Sequence, residues 1–360
     1  MGGMGEQCRQ VMRALEDEDI YFDIIGSDEE DASNGPNYSF RPFKEIKTAS
    51  TVYHPLAKNF LSQLPIFAES VKSDKPDIVH AFDWSSFHAG LYVAKHWDVP
   101  CVSTMQLSIQ QMMRDGVVNE ENKELYDINA WIEFLGMVHS NRIIQVSNDY
   151  ASRFPGLFGD KTRVIGNGIL IEDYKSFSRV DLPGNNPFKI VYIGRFDWMK
   201  NITGILETKI PQGIDFIVIG SKRGSSPALL GKVIERSDQD DNFFYVGPKY
   251  GQEKVDWLCS ADAQIVPSLH EPFGIVALEA LAANNILLSS FKGGMTDFLD
   301  EGCAINCGIT GDSISNAMQQ AQKMSFDEKA VMKSRGMQVC KNWTWKKQAQ
   351  KLLQVYKELI

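Results

Sequence analysis

Short, unbroken apolar runs rich in Val and Ile recur along the 360 residues, and they limit the fold more than any other feature. In the first half they are YFDII (21–25), DIVHAF (77–82), VPCVST (99–104), RIIQVS (142–147) and TRVIG (162–166). In the second half they are FKIVYIG (188–194), DFIVIG (215–220), NFFYVG (242–247), AQIVPS (263–268) and NILLSS (285–290). A half-exposed strand alternates apolar and polar residues. A strand covered by helices on both faces does not, so continuous runs predict parallel strands in an α/β architecture. Several runs end in Gly, Ser or Asp before a helical stretch, as strand-to-helix turns do.

Between the two sets, SFSRVDLPGNNPF (176–188) holds two prolines, a glycine and two asparagines with little apolar periodicity, and reads as a linker. At about 150 residues per domain the chain is long enough for two. The expected organisation is two Rossmann-like, doubly wound domains, 1–178 and 187–342, whose facing strand ends form a cleft. The last stretch, 343–360, places Ala349, Leu352, Leu353, Tyr356 and Leu359 at helical spacing and predicts an amphipathic helix. The acidic stretch SDEEDASNGPN (27–37) reads as an exposed loop.

Charge narrows the function classes. Lys+Arg 37 against Asp+Glu 46 gives a net charge of −9. Such a chain is poorly suited to wrapping nucleic acid or to binding anionic membrane through bulk charge. The six cysteines form no C-x-x-C pair and have no His cluster to complete a zinc site, so they read as free thiols in a reducing compartment. There is no apolar signal segment and no run near 18 apolar residues, so the expected location is cytoplasmic, with no transmembrane segment.

Four segments could carry chemistry. In HEPFGIVALEALAAN (270–284) a loop leads into a helix near Phe273 and Gly274, with Glu271 in the loop and Glu279 inside the helix. A helix start exposes unpaired N–H groups and favours phosphate or sugar oxygens, and two carboxylates there can hold vicinal hydroxyls. The plain alternative is a first-turn Glu complementing the dipole, with a surface Glu beyond it. GRFDWMKN (194–201) follows a strand and offers Arg195 and Lys200 to a diphosphate, though a solvated Lys is the commoner case. MGGMGEQ (1–7) is a glycine-rich loop opening a helix, with Gly2, Gly3 and Gly5 able to admit a phosphate to the backbone. It lacks the preceding strand of a dinucleotide fingerprint, which disfavours a nicotinamide-dependent dehydrogenase. HAFDW (80–84) ends a strand, where open α/β sheets place ligands; Asp83 could face a substrate, or could simply cap a helix beside a packed His.

Taken in order, these motifs resemble retaining glycosyltransferase family 4, near its glycogen- and starch-synthase-like members. The match also includes Asn167-Gly168 of VIGNGI, GGMTD (293–297) with Gly294, and the terminal WTW helix, and it spans nearly the whole chain. The resemblance implies a GT-B fold, with the donor nucleotide held mainly by the second domain and the terminal helix crossing back to the first. It implies that Arg195 and Lys200 contact the donor diphosphate and that Glu279 binds ribose. Glu271, with the backbone of Phe273 and Gly274, would hold the transferred sugar. It further places Gly2, Gly3 and Gly5 near the phosphates, the Gly247-Pro248 turn near the base, and Asn167 and Gly294 at the donor. Asp83 and Gln106 join the catalytic set.

The implied reaction moves a sugar, in the first instance glucose, from a UDP-, ADP- or GDP-linked donor to a hydroxyl acceptor such as a sugar or glucan. Configuration is retained, and neither metal nor other cofactor takes part. The D-x-D triplets at 17–19 and 238–240 follow no apolar strand and read as solvated charge. Two departures stand out. The family carries a strand before the glycine motif, and this sequence opens at the motif, so the first domain is expected to lack its opening strand. After VPCVST the family has Thr-x-His, where this chain has Thr104-Met105-Gln106. Gln hydrogen-bonds a hydroxyl but does not titrate near neutrality. Gly166 and Leu170 stand where Pro and Asp are usual. These departures motivate a second reading, a non-catalytic nucleotide-sugar binder or regulatory homologue.

Overall fold

A computed structural model of the chain describes residues 3–26, 34–42, 55–114, 116, 123–153, 156, 158–222 and 224–360, and of 3–6 and 55–62 the backbone only. The chain divides into two units, Met1–Asn167 with Trp345–Ile360, and Gly168–Thr344.

Unit 1 runs α1 (Gly3–Ala14), β1 (Phe22–Gly26), β2 (Tyr38–Pro42), α2 (Pro55–Ser70), β3 (Val79–Phe82) and α3 (Trp84–Trp97). It continues with β4 (Cys101–Met105), α4 (Ile109–Arg114), α5 (Lys123–His139), β5 (Arg142–Gln145), α6 (Asn148–Ser152) and β6 (Thr162–Val164). All its ladders are parallel. The strands fall into two sheets, β3-β4-β5-β6 and a separate pair β1-β2. All of β4 is buried, whereas every residue of β1 is at least partly exposed. The register Phe82↔Thr104 and Met105↔Gln145 aligns the carboxyl ends of β3, β4 and β5.

Unit 2 begins with β7 (Phe188–Ile193), α7 (Ile202–Glu207), β8 (Ile214–Ile219), α8 (Pro227–Gln239), β9 (Phe243–Tyr245) and α9 (Gly251–Cys259). There follow β10 (Ala263–Val266), α10 (Ile275–Ala282), β11 (Ile286–Ser289), β12 (Ala304–Asn306), α11 (Gly311–Lys323) and α12 (Phe326–Asn342). Its strands form one six-stranded parallel sheet in the order β12-β11-β10-β7-β8-β9. The chain starts in the centre, winds outward through β8 and β9, then returns to β10 on the other side of β7. That reversal is a topological switch point, and the loops after β7 and β10 leave adjacent strand ends there. Every residue of β8, β10 and β11 is buried, as the unbroken apolar runs require.

The segment read as a linker packs on unit 2. Ser178 N–H donates to Asp256 at 2.9 Å and Val180 N–H to Ser260 Oγ at 2.8 Å. Asp215, fully buried in β8, accepts from Asn186 N–H at 2.8 Å and pairs with Lys189 Nζ at 2.6 Å. α13 (Trp345–Lys357) belongs to unit 1. It buries Ala349, Leu352, Leu353 and Tyr356, and Glu358 just beyond it pairs with Arg163 at 2.9 Å. Among the described residues no helix is long and apolar enough to cross a membrane.

Candidate donor site

The switch point of unit 2 gathers residues that are far apart in sequence. The loop after β7 carries Arg195 and Lys200, and the loop after β10 carries Glu271. Leu269 and His270 N–H both point to the Met199 carbonyl, at 2.8 and 3.3 Å, so the two loops are tied backbone to backbone. Lys200 Nζ lies 2.5 Å from Glu271 Oε2, and Ser268 Oγ donates to the same oxygen at 3.1 Å. Glu271 is 7% exposed, so its charge is held by a partner rather than by bulk water.

Asp197 organises the cationic loop. Its Oδ1 accepts from Lys200 N–H at 3.0 Å, and its Oδ2 pairs with Arg195 at 3.1 Å. Arg195 stays half exposed, so its guanidinium is reachable by an outside anion.

Glycines let the third strand end close in. Gly294 N–H donates to the Glu271 carbonyl at 2.8 Å. Gly293 adopts φ 62°, and a Cβ there would overlap that same carbonyl. Gly274, at φ 100°, is the N-cap of α10, and a Cβ there would strike Met295. Both positions need a residue without a side chain. Phe273 is buried against Phe298 and Trp343, with ring centroids at 5.2 and 5.4 Å, so only its backbone is left to serve a ligand. Glu279 sits further along α10 and pairs with Lys254 of α9 at 2.6 Å. Gly247, at φ 72°, turns the chain after β9, its carbonyl accepting from Gly220 N–H at 3.2 Å, and Pro248 is exposed beside it.

Unit 1 gathers a second, mostly uncharged group at its strand ends. Asp83 follows β3 at φ 58°, in the left-handed region, where a non-glycine backbone is strained. Its Oδ1 accepts from the Gln106 and Leu107 N–H groups at 2.6 and 3.1 Å, which offsets that strain and fixes the turn after β4. Desolvation nevertheless pushes its carboxyl up to about 6. The Gln106 side chain donates to Gln7 of α1, and Asn167 Nδ2 approaches its Oε1 at 3.4 Å. Gly3 and Gly5 lie inside α1 rather than in a loop, and Gly2 lies outside the described residues. His80 bridges Thr104 Oγ1 at 2.7 Å and Tyr356 at 2.6 Å, and burial drives its pKa down to about 3, so it is a neutral packing group. Glu133, fully buried, accepts from Ser108 Oγ at 2.5 Å and Ile109 N–H at 2.6 Å, and desolvation raises it to about 8.

Asp197, Ser268, Lys254 and Gln7 escaped the sequence reading. Asp197 lies inside the very motif that supplied Arg195 and Lys200, and a carboxylate between two cations was the available signal. The others meet their partners only through the fold.

The geometry defines a class before it defines a family: a parallel α/β unit with a half-exposed arginine, a lysine and a buried carboxylate at its switch point. Among solved structures, sucrose-phosphate synthase from Thermosynechococcus elongatus matches 99% of this chain and 94% of its own, with a TM-score of 0.82 at 20% identity. Anabaena HepE, solved with UDP and glucose, matches 99% and 96% with a TM-score of 0.71 at 15% identity. The fold is that of the GT-B glycosyltransferases. The description "Glycosyltransferase Family 4" matches residues 1–173, and "Glycosyl transferases group 1" matches residues 174–336. A glycogen synthase from Mycobacterium tuberculosis is 26% identical over 301 residues, which is 79% of this chain and 69% of the relative. The chain belongs to the family 4, group 1 glycosyltransferases.

Proposed function

We propose that the chain transfers a hexosyl group, glucose in the first instance, from a nucleoside-diphosphate sugar to a hydroxyl acceptor with retained configuration. The observation that carries this reading is the Lys200–Glu271 pair, 2.5 Å apart at the switch point, with Arg195 half exposed beside it. A diphosphate leaving group gains negative charge as the anomeric C–O bond breaks. Two fixed cations stabilise that charge without reorganising, Arg195 by its fork and Lys200 as a point charge. Glu271 then accepts from a sugar hydroxyl on the side opposite its lysine, and the backbone at Phe273, Gly274 and Gly294 lines the approach.

The acceptor oxygen forms the new bond to the anomeric carbon, and its proton passes to the departing phosphate oxygen. No side chain has to act as the base. The cations do the charge neutralisation, so chelators should leave turnover unchanged. Asp83, Gln106 and Asn167 of unit 1 are the groups we assign to sugar hydroxyls. The six free cysteines suit the cytoplasm, where thiols stay reduced. HepE was solved with UDP and glucose, which makes UDP-glucose the first donor to try, followed by the ADP- and GDP-linked sugars.

The test measures donor binding by calorimetry and donor consumption on the same sample, with the product anomer read by NMR. Binding with transfer and retention is the expected result. Binding without transfer or hydrolysis would leave a nucleotide-sugar binder, the reading that Gln106 in place of the family's His motivates. No binding of any nucleotide sugar would overturn both.

A further inference from the structure

We propose that Lys254 is a positioning residue for the nucleoside half of the donor, holding the Glu279 carboxylate toward the ribose diol; this rests on the donor reading above. Lys254 Nζ lies 2.6 Å from Glu279 Oε1, and the two side chains are 27% and 13% exposed. Exposed ion pairs are loose and worth little, because water competes for both partners. This pair is mostly shielded, and it joins α9 to α10 across 25 residues of chain.

A carboxylate offers two oxygens and about four acceptor directions. Lys254 engages Oε1, which leaves Oε2 to accept from vicinal hydroxyls. The buried hydroxyl of Tyr174 also feels Glu279, whose charge adds to the desolvation that raises its pKa. An apolar side chain at 254 would strip the carboxylate of its cation in this shielded place. It would then turn toward water, which withdraws an acceptor from the ribose. The ammonium therefore sets the direction of the group that reads the sugar of the nucleotide.

A positioning role and a merely structural one separate on the ribose itself. UDP and 2′-deoxy-UDP would be titrated calorimetrically into wild type, K254M, K254R and E279Q, with melting curves checking the fold. Wild type should prefer UDP. K254M should weaken UDP about tenfold, as loss of a hydrogen bond to a charged group does. It should leave 2′-deoxy-UDP within about twofold, so that the preference collapses. E279Q should collapse it too, and K254R should keep most of it. Equal losses for both nucleotides in K254M, or an undiminished preference, would overturn the role of Lys254. Unchanged UDP binding in E279Q would instead remove Glu279 from the ribose, and wild type that binds no UDP, ADP or GDP would remove the donor site altogether.

Discussion

Unit 2 pairs several shielded carboxylates with lysine. Glu271 meets Lys200, Glu279 meets Lys254 and Asp215 meets Lys189. In unit 1 desolvation instead pushes several shielded ionisable groups toward their neutral forms. Asp83 is raised to about 6, Glu133 to about 8 and Cys8 to about 12, and His80 is lowered to about 3, with desolvation the leading cause each time. Two halves built from similar parallel strands thus differ in emphasis: unit 2 sets lysines against its shielded carboxylates, and unit 1 leaves Glu133 and His80 neutral at pH 7 and Asp83 a weakened acid. Fixed charges suit a ligand that is ionic; neutral amides and a reluctant carboxyl suit hydroxyls.

The largest test of that contrast strikes a structural pair. Asp215→Ala would leave Lys189 without its buried counter-charge and free the segment before β7. Denaturant unfolding should show about 3–5 kcal/mol lost. A loss under about 1 kcal/mol, the range of an exposed pair, would show that the lysine pairing of unit 2 is incidental.

Next come the cations proposed to face the donor. Arg195→Ala and Lys200→Ala should each lower turnover roughly 10²–10³-fold, about 2.7–4 kcal/mol, by analogy with a lost oxyanion donor. The double variant should fall short of the product of the two, because both act on one diphosphate. Wild-type turnover at saturating donor in both single variants would contradict the assignment.

A pH titration probes unit 1. Glu133 titrates near 4.5 when unfolded and near 8 in the fold. Below pH 4.5 both states hold the proton; above it the unfolded chain ionises while the folded one resists. Stability should therefore be lost as pH rises from about 5 to 8. Glu133→Gln keeps an acceptor for Ser108 and Ile109 and should flatten that slope. His80 runs the other way: its folded pKa is depressed, so its contribution is present above about 6.5 and is lost as pH falls toward 3. An identical slope in the Glu133→Gln protein would show that the neutral character of unit 1 has another source.

The finest test divides the two site carboxylates. Glu279→Ala should raise the donor KM about tenfold through lost uniform binding, whereas Glu271→Ala should mainly lower kcat, since its sugar contact matters as charge develops. The same kinetic defect in both would erase the distinction between them.

The sequence announced most strands because burial on both faces writes itself as an apolar run. β2 and β12 left no such signature: YSFRP mixes polar and apolar residues and ends in proline, and Ala304–Asn306 is only three residues long. The segment 176–188 looked like a linker because its hydrogen bonds go through backbone N–H groups to distant side chains, which composition does not reveal. The strand-end positions of the candidate residues were legible from the apolar runs that precede them. Their pairing was not, since Lys200 and Glu271 lie 71 positions apart and meet only because the sheet reverses between β7 and β10.

That β1 and β2 form a sheet of their own has a mechanical consequence. Their fastenings to the rest of unit 1 include side-chain bonds: Asn37 Nδ2 to the Met12 carbonyl at 3.0 Å, Arg41 to the Glu69 carbonyl at 3.0 Å, and Arg41 and Asp23 to Ser73. A ladder parts only when its bonds break in concert, but side-chain clips release one at a time. The pair can therefore lift as a small foldon while β3 to β6 stay zipped, and its amides should exchange with solvent earlier than those of β4. Slower exchange there than in β4 would place the first step of unfolding elsewhere in unit 1.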